Sequence, residues 1–325
     1  MKAILCKEYG PPENLVLEDV ASPRPGKGQV LISVKACSVS FPDTLLIQGK
    51  YQFKPEMPFS PGGELAGIIK EVGEGVEHIK VGDRAMAFSG WGGFAEEIVT
   101  DATRVMPLPA SIGFATASTL VMSYVTSHYA LKDRGELKSG ETLLVLGAAG
   151  GVGLAAVEIG KLMGARVIAA ASTDEKLAVC TQHGADATIN YTSDNFRERI
   201  KELTAGTGVD MVYDPIGDKY TEPALRSMAW GGRYLVIGFA AGDIPRIPLN
   251  LVLLKSCQIV GVFWGAFATR DPRGNLEHMQ ELLAWVEAGK LKPHISAIYP
   301  LAQAADALHD MMSRKVTGKV VLLIE

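Results

Sequence analysis

The stretch Leu144-Val145-Leu146-Gly147-Ala148-Ala149-Gly150-Gly151-Val152-Gly153-Leu154-Ala155-Ala156-Val157 constrains the fold of this chain more than any other. An apolar strand runs into a glycine-rich turn, and a helix starts at once. That is the setting in which backbone N–H groups at a helix start bind a pyrophosphate. Gly150 lets the backbone approach such a group, and Gly153 lets the helix pack tightly on the strand. The first glycine of the G-x-G-x-x-G fingerprint is replaced by Ala148. A plain strand–helix turn has the same glycine needs, so the surrounding pattern decides.

That pattern supports a dinucleotide site. Beyond residue 111, apolar strands expected over 142–146, 166–170, 187–190, 211–214 and 233–237 alternate with amphipathic helices over 154–162, 175–183, 196–203 and 220–228. This alternation predicts a doubly wound parallel sheet with right-handed crossovers. Up to about residue 100, short β runs such as 30–35 and 65–69 are broken by Pro23-Arg24-Pro25-Gly26, Pro61-Gly62-Gly63 and Val81-Gly82-Asp83, which predicts an antiparallel barrel or sandwich. An apolar run at 259–263, a helix at 276–287 and a last strand at 319–324 follow. If the last strand rejoins the first sheet, the nucleotide domain is an insertion. A length of 325 residues suits two domains.

The formal net charge of −4, without a Lys/Arg run, gives no electrostatic case for nucleic acid or an anionic membrane as partner. No apolar run reaches the length of a transmembrane helix, and a cytoplasmic location is the simplest expectation. The cysteines Cys6, Cys37, Cys180 and Cys257 form no CxxC pair and are expected to be reduced and mostly buried. His78, His128, His183, His278, His294 and His309 match no catalytic motif and are expected at surfaces or helix ends.

The cofactor is chosen where the second strand of the nucleotide domain ends. A carboxylate there would bind the free 2′-hydroxyl of NADH and repel a 2′-phosphate. The chain instead reads Ala169-Ala170-Ala171-Ser172-Thr173-Asp174-Glu175-Lys176. Ser172 and Lys176 offer donors to a phosphate, which favours NADPH. Ser172 with Glu175 also makes a capping box that needs no ligand, and Asp174 has the reach to turn toward a ribose.

At this point the chain resembles the medium-chain dehydrogenase/reductase superfamily, and within it the zinc-independent quinone oxidoreductase, ζ-crystallin-like branch. The resemblance rests on Ala148-Ala149-Gly150-Gly151-Val152-Gly153, on Asp43-Thr44 followed by Gly49-Lys50-Tyr51, and on Pro61-Gly62-Gly63-Glu64. Ile189-Asn190-Tyr191, Ile237-Gly238-Phe239-Ala240-Ala241-Gly242 and Thr317-Gly318-Lys319-Val320-Val321-Leu322 extend it over nearly the whole chain. It implies an α/β protein with a GroES-like β-rich catalytic domain, residues 1–120 completed by 266–325, and a Rossmann NADPH-binding domain at 121–265. It further implies an active site in the cleft and a homodimer built through the Rossmann sheet edge.

The zinc enzymes of this superfamily bind a catalytic metal through a cysteine, a histidine and a further cysteine. Here Ser40 stands at the first position and Gly63 at the second, and no cysteine lies around Met122-Ser123-Tyr124-Val125-Thr126. Three protein ligands are the minimum for catalytic zinc, so none is expected. Without a Lewis acid, an acceptor that delocalises its own charge suits the site better, such as a quinone or an α,β-unsaturated carbonyl.

Carried over by position, the resemblance places Phe41, Pro42 and Asp43 near the nicotinamide, with Ser40 where an asparagine is common. Tyr51 would donate a hydrogen bond or a proton to the reduced oxygen; an ordinary amphipathic tyrosine satisfies the same sequence. Thr126 would meet the nicotinamide end, or else bond to its own helix. Ala149, Gly150, Gly151, Val152 and Gly153 would hold the pyrophosphate, and Tyr191 would lie along the adenosine. Gly238 and Phe239 would close over the cofactor, and Phe263 and Trp264 would stand at the carboxamide or at a dimer edge. Lys319 is near the cofactor in relatives, or is simply a surface lysine. The reaction expected is hydride transfer from NADPH to a quinone or similar conjugated carbonyl. Reduction of an enone or enoyl thioester is the rival reaction. Non-catalytic NADPH or RNA binding is a further one, and the acidic balance weighs against RNA.

Overall fold

Runs rich in Val, Ile and Ala make strands here because a pleated, half-buried surface accommodates their branched or small side chains. The computed structural model describes Met1–Glu325. It divides the chain into two units, Met1–Met122 with Pro293–Glu325, and Ser123–Lys292.

In the first unit, β1 (Lys2–Leu5) and β2 (Val16–Asp19) form a small antiparallel pair. The long β3 (Gln29–Val39) runs into a short helix, α1 (Phe41–Leu46). Then come β4 (Glu64–Val72), β5 (Arg84–Phe88), β6 (Glu97–Asp101), β7 (Val105–Pro107) and the short α2 (Phe114–Ala117).

The second unit begins with α3 (Ser123–Tyr129). β8 (Thr142–Leu146), α4 (Gly151–Leu162), β9 (Arg166–Ala171), α5 (Asp174–Gln182), β10 (Ala187–Asn190) and α6 (Phe196–Leu203) make its first half. β11 (Val209–Asp214), α7 (Thr221–Arg226), β12 (Met228–Val236), α8 (Asn250–Lys255), β13 (Gln258–Gly261), α9 (Trp264–Arg270) and α10 (Pro272–Glu287) make the rest. Its six strands are all parallel in the order β10-β9-β8-β11-β12-β13. The order reverses between β8 and β11, the switch point where doubly wound sheets bind ligands beyond their strand ends.

The chain then returns to the first unit with β14 (Ile295–Pro300), α11 (Ala304–Met312) and β15 (Lys319–Leu323). β15 pairs with β3 antiparallel, Leu322 opposite Cys37, inside a seven-stranded sheet. The last strand therefore does rejoin the first sheet, and the parallel-sheet unit is inserted. No helix is long and apolar enough to cross a membrane.

Two expectations need correction. Residues 266–292 belong to the second unit, because α10 packs along α3 and buries His278, Met279 and Leu282. The apolar run at 259–263 stays a strand only to Gly261; Phe263 caps α9 and Trp264 begins it.

β15 carries three fully buried apolar side chains, Val320, Val321 and Leu322, and lies between β14 and the far earlier β3. Leu322→Ala is expected to destabilise the first unit by roughly 2–5 kcal/mol, seen as a lower urea midpoint; an unchanged midpoint would mean that the strand is not needed to complete the core.

Candidate active site

The glycine-rich turn owes its shape to close packing. Gly147 adopts φ 55°, and a Cβ on Gly153 would lie 2.2 Å from the Gly147 carbonyl oxygen, so no side chain fits at 153. Ala148 N donates to Ala170 O at 3.0 Å, which fastens the turn to β9. The first bond inside α4 runs from Leu154 N to Gly150 O at 2.8 Å. The N–H groups of Gly151, Val152 and Gly153 precede it and have no partner within the helix. The segment from Ala149 to Gly153 therefore presents unpaired backbone N–H groups at the start of α4.

Two neighbours that the sequence did not reveal hold this region. Ser127 on α3 donates to Val152 O at 2.9 Å and pairs with the Tyr213 hydroxyl at 2.8 Å. Thr126, expected beside the nicotinamide, is only half-buried, whereas Ser127 is buried. Asp214, at the end of β11, is buried and accepts from Ile216 N at 2.9 Å, Gly217 N at 2.8 Å, Thr221 Oγ at 3.1 Å and the Tyr234 hydroxyl. It fixes the loop 215–217, and Ala240 N and Ala241 N bond to Pro215 O and Ile216 O. Gly238 and the exposed Phe239 are thereby held at the switch-point end of the sheet. A buried multi-bonded aspartate at a strand end is visible only in three dimensions.

At the end of β9, Lys176 Nζ stands 3.5 Å from Ser172 Oγ, so the two expected phosphate donors do come together. The capping assignment changes: Thr173 is the N-cap of α5 and accepts from Lys176 N at 3.4 Å. This leaves Ser172 outside the cap. Asp174 accepts from Asn190 Nδ2 at 2.8 Å, an alternative partner to a ribose. The Tyr191 ring lies 4.4 Å from that of Tyr220. Phe263 is exposed, while Trp264 is buried with its Nε1 donating to Asn275 Oδ1 at 2.8 Å.

The first unit gathers the remaining residues. Asp43 is buried; its carboxylate accepts from Ser40 N at 2.8 Å and Gly62 N at 3.0 Å and so ties α1 to the Pro61-Gly62-Gly63 turn. Phe41 lies exposed on α1 and Pro42 is half-buried beside it. Tyr51 is half-buried, edge-on to Phe53 with centroids 5.9 Å apart; burial, with the Asp43 charge, raises its hydroxyl pKa, so it stays a proton-bearing donor. Lys319 is no surface lysine. It is buried and bonds Ser40 Oγ and Glu64 Oε2, each at 3.0 Å. Glu64 entered the sequence reading only as part of the Pro61-Gly62-Gly63-Glu64 motif and was given no role of its own.

Comparison with known proteins follows the same division. The alcohol dehydrogenase GroES-like domain matches residues 26–110, and a family described as zinc-binding dehydrogenase matches 151–286. A quinone oxidoreductase-like protein 2 homolog from Nematostella vectensis is 41% identical over 325 residues, covering 99% of this chain and 88% of its own. The quinone oxidoreductase of Rattus norvegicus is 36% identical, covering 100% of this chain and 98% of its own. Escherichia coli quinone oxidoreductase, solved in complex with NADPH, superposes with a TM-score of 0.93 at 30% identity, covering 99% and 100%. The chain belongs to the quinone oxidoreductase branch of the medium-chain dehydrogenase/reductase superfamily.

A catalytic zinc does not fit the residues that this family member presents. Ser40 and Gly63 supply neither a thiolate nor an imidazole, and a Cβ on Gly63 would lie 2.8 Å from the Gly90 carbonyl oxygen. Ser89 N and Gly90 N both bond to Gly63 O, so the 89–90 turn occupies the space where a ligand side chain would stand. All four cysteines are buried, as their scatter suggested, and burial raises the pKa of each thiol, Cys180 to about 12.

His128 stands at a helix end as expected, in the last turn of α3, whereas His278 lies inside α10 and corrects the expectation. His128 and His278 are buried and hydrogen-bonded through their Nδ1 atoms, with Asp133 2.9 Å from His278 Nε2 and Glu281 3.3 Å from His128 Nε2. Burial first, then His278, lowers the pKa of His128 to about 4, which keeps it neutral.

Burial pushes the Asp43 carboxyl up to about 6 from its ordinary 3.8. A carboxyl whose folded pKa is raised binds protons more tightly folded than unfolded, so its contribution to stability falls as pH rises from about 4 to 6. The stability of the wild type relative to Asp43→Asn is expected to fall across that window by on the order of 3 kcal/mol and then level off. Urea unfolding at stepped pH measures this, and a level difference throughout would show an ordinary carboxyl.

Proposed function

We propose that this protein is an NADPH-dependent oxidoreductase that reduces a quinone or similar conjugated carbonyl compound without zinc. The observation that carries the cofactor half is the end of β9. Ser172 and Lys176 stand side by side there, with no carboxylate at the strand end and the diphosphate cradle of Ala149–Gly153 beside them. NADPH would supply a hydride when bound. The chain's part is to hold the diphosphate on α4, to place Ser172 and Lys176 against the 2′-phosphate, and to orient the acceptor near Ser40, Phe41, Asp43 and Tyr51. The acceptor half is supported by the names of the relatives and by the missing metal ligands, which favour acceptors that spread their own charge. We place the enzyme in the cytoplasm, where its unpaired thiols stay reduced.

The test is titration with NADPH and NADH by fluorescence, followed by turnover with 1,4-benzoquinone and, separately, 2-cyclohexen-1-one. NADPH is expected to bind the more tightly, and Lys176→Ala to weaken it about tenfold without affecting NADH. Equal affinities for the two cofactors would remove the 2′-phosphate assignment. Turnover of the enone alone would move the acceptor to the double-bond reductase class.

We further propose a homodimer through the β13 edge. β13 is the outer strand of the six-stranded sheet, and the segment that leads into it carries Leu249, Leu253 and Leu254, which are 75%, 78% and 66% exposed. An open strand edge, and exposed apolar side chains in the segment leading into it, favour pairing with a second copy. Light scattering is expected to give twice the chain mass for the wild type and the single mass for Leu253→Asp/Leu254→Asp; a wild-type monomer would overturn this.

A further inference from the structure

Around Ser40 lies a buried polar cluster whose donors are not all used. Glu64, at the start of β4, is filled: Oε2 accepts from Ser38 Oγ at 2.8 Å and Lys319 Nζ at 3.0 Å, and Oε1 accepts from Met122 N at 2.9 Å. Lys319 gives a second N–H to Ser40 Oγ at 3.0 Å. An ammonium has three donors and no acceptor, so one N–H of Lys319 meets no acceptor in the chain, although the residue is 3% exposed. Ser40 is in the same state. Its N–H goes to Asp43 Oδ2, its Oγ accepts from Lys319, and its hydroxyl hydrogen has no protein acceptor. A buried donor left without a partner destabilises the fold, the more so when it is charged. Bracing β15, β3 and β4 together accounts for the Lys319–Glu64 pair but not for two unspent donors 3.0 Å apart.

We propose that Ser40 Oγ–H and Lys319 Nζ–H form an oxyanion-binding pair for the carbonyl oxygen of the acceptor, with Glu64 and Ser38 positioning Lys319. This rests on the reading above that the acceptor is a conjugated carbonyl compound. Bound NADPH would supply a hydride, an electron pair with its proton, to a carbon of the acceptor, which moves a π pair onto the acceptor oxygen. That oxygen takes the Ser40 hydroxyl proton, Ser40 takes one from Lys319, and water restores Lys319. The nicotinamide is oxidised and the carbonyl compound reduced by two electrons. The buried ammonium thus does part of what a Lewis acid does in the zinc enzymes, where preorganised donors stabilise developing charge.

The test uses 4-nitrophenol, whose phenolate mimics the developing oxyanion, added to the cofactor-free protein and followed by absorbance at fixed pH. The wild type is expected to enrich the bound phenolate. Ser40→Ala is expected to lose most of that enrichment and about 10²-fold in kcat with 1,4-benzoquinone, with the Kd for NADPH unchanged. Lys319→Met alone strands a buried carboxylate, so Glu64→Gln/Lys319→Met removes both charges; it should melt cooperatively yet show no phenolate enrichment. Equal phenolate fractions in the wild type and Ser40→Ala would overturn the pair, as would a wild type that favours the neutral phenol. A wild type that enriches phenolate but oxidises NADPH with neither quinone nor enone would overturn the proposed function and leave the pair standing.

Discussion

The buried pair of Lys319 and Glu64 is the interaction on which the first unit depends. The two residues are 255 positions apart in sequence, yet Nζ and Oε2 meet at 3.0 Å because β15 comes back to lie against β3, with β4 on the other side. Removing one partner from a buried ion pair leaves an uncompensated charge, at a cost of roughly 3–5 kcal/mol. The pair therefore holds the returning strand in register as well as fixing the surroundings of Ser40. The chain's last residues are in this sense part of its first domain.

In the second unit the corresponding constraint is steric. The contact between Gly153 and the Gly147 carbonyl sets how closely α4 can approach β8, and so where its free N–H groups point. Ser127 and Asp214 then fasten the flanking segments by hydrogen bonds to Val152, Ile216 and Gly217. Each is buried and has its hydrogen-bonding capacity taken up by neighbours, so the loops at the switch point are held before any ligand arrives.

Much of this was legible in the sequence. The strands at 142–146 and 187–190 and the helix at 196–203 lie where the hydrophobic period placed them, whereas the return of the last strand to the first sheet was left open by the residues and implied only by the family resemblance. Failures came where a contact between distant segments decided the outcome. Residues 266–292 went to the second unit because α10 found α3, a pairing that no local pattern encodes. His128 and His278 were expected at surfaces or helix ends, and their burial is recognisable only once the partner 150 positions away is in place. Thr173 rather than Ser172 caps α5, a one-residue choice made by backbone geometry.

The sequence by itself determined the two fold classes, the glycine-rich turn at the head of α4 and the lack of zinc ligands at positions 40 and 63. These are matters of residue type and short spacing: glycine where no Cβ fits, alternation at period 2 or 3.6, and side chains that lack a donor atom. Only the tertiary structure decided that Asp43 is a brace between two backbone turns and that Lys319 is buried against Glu64 and Ser40. Burial and hydrogen-bond partnership depend on which distant segments share one interior, and that is fixed by packing rather than by the order of residues along the chain.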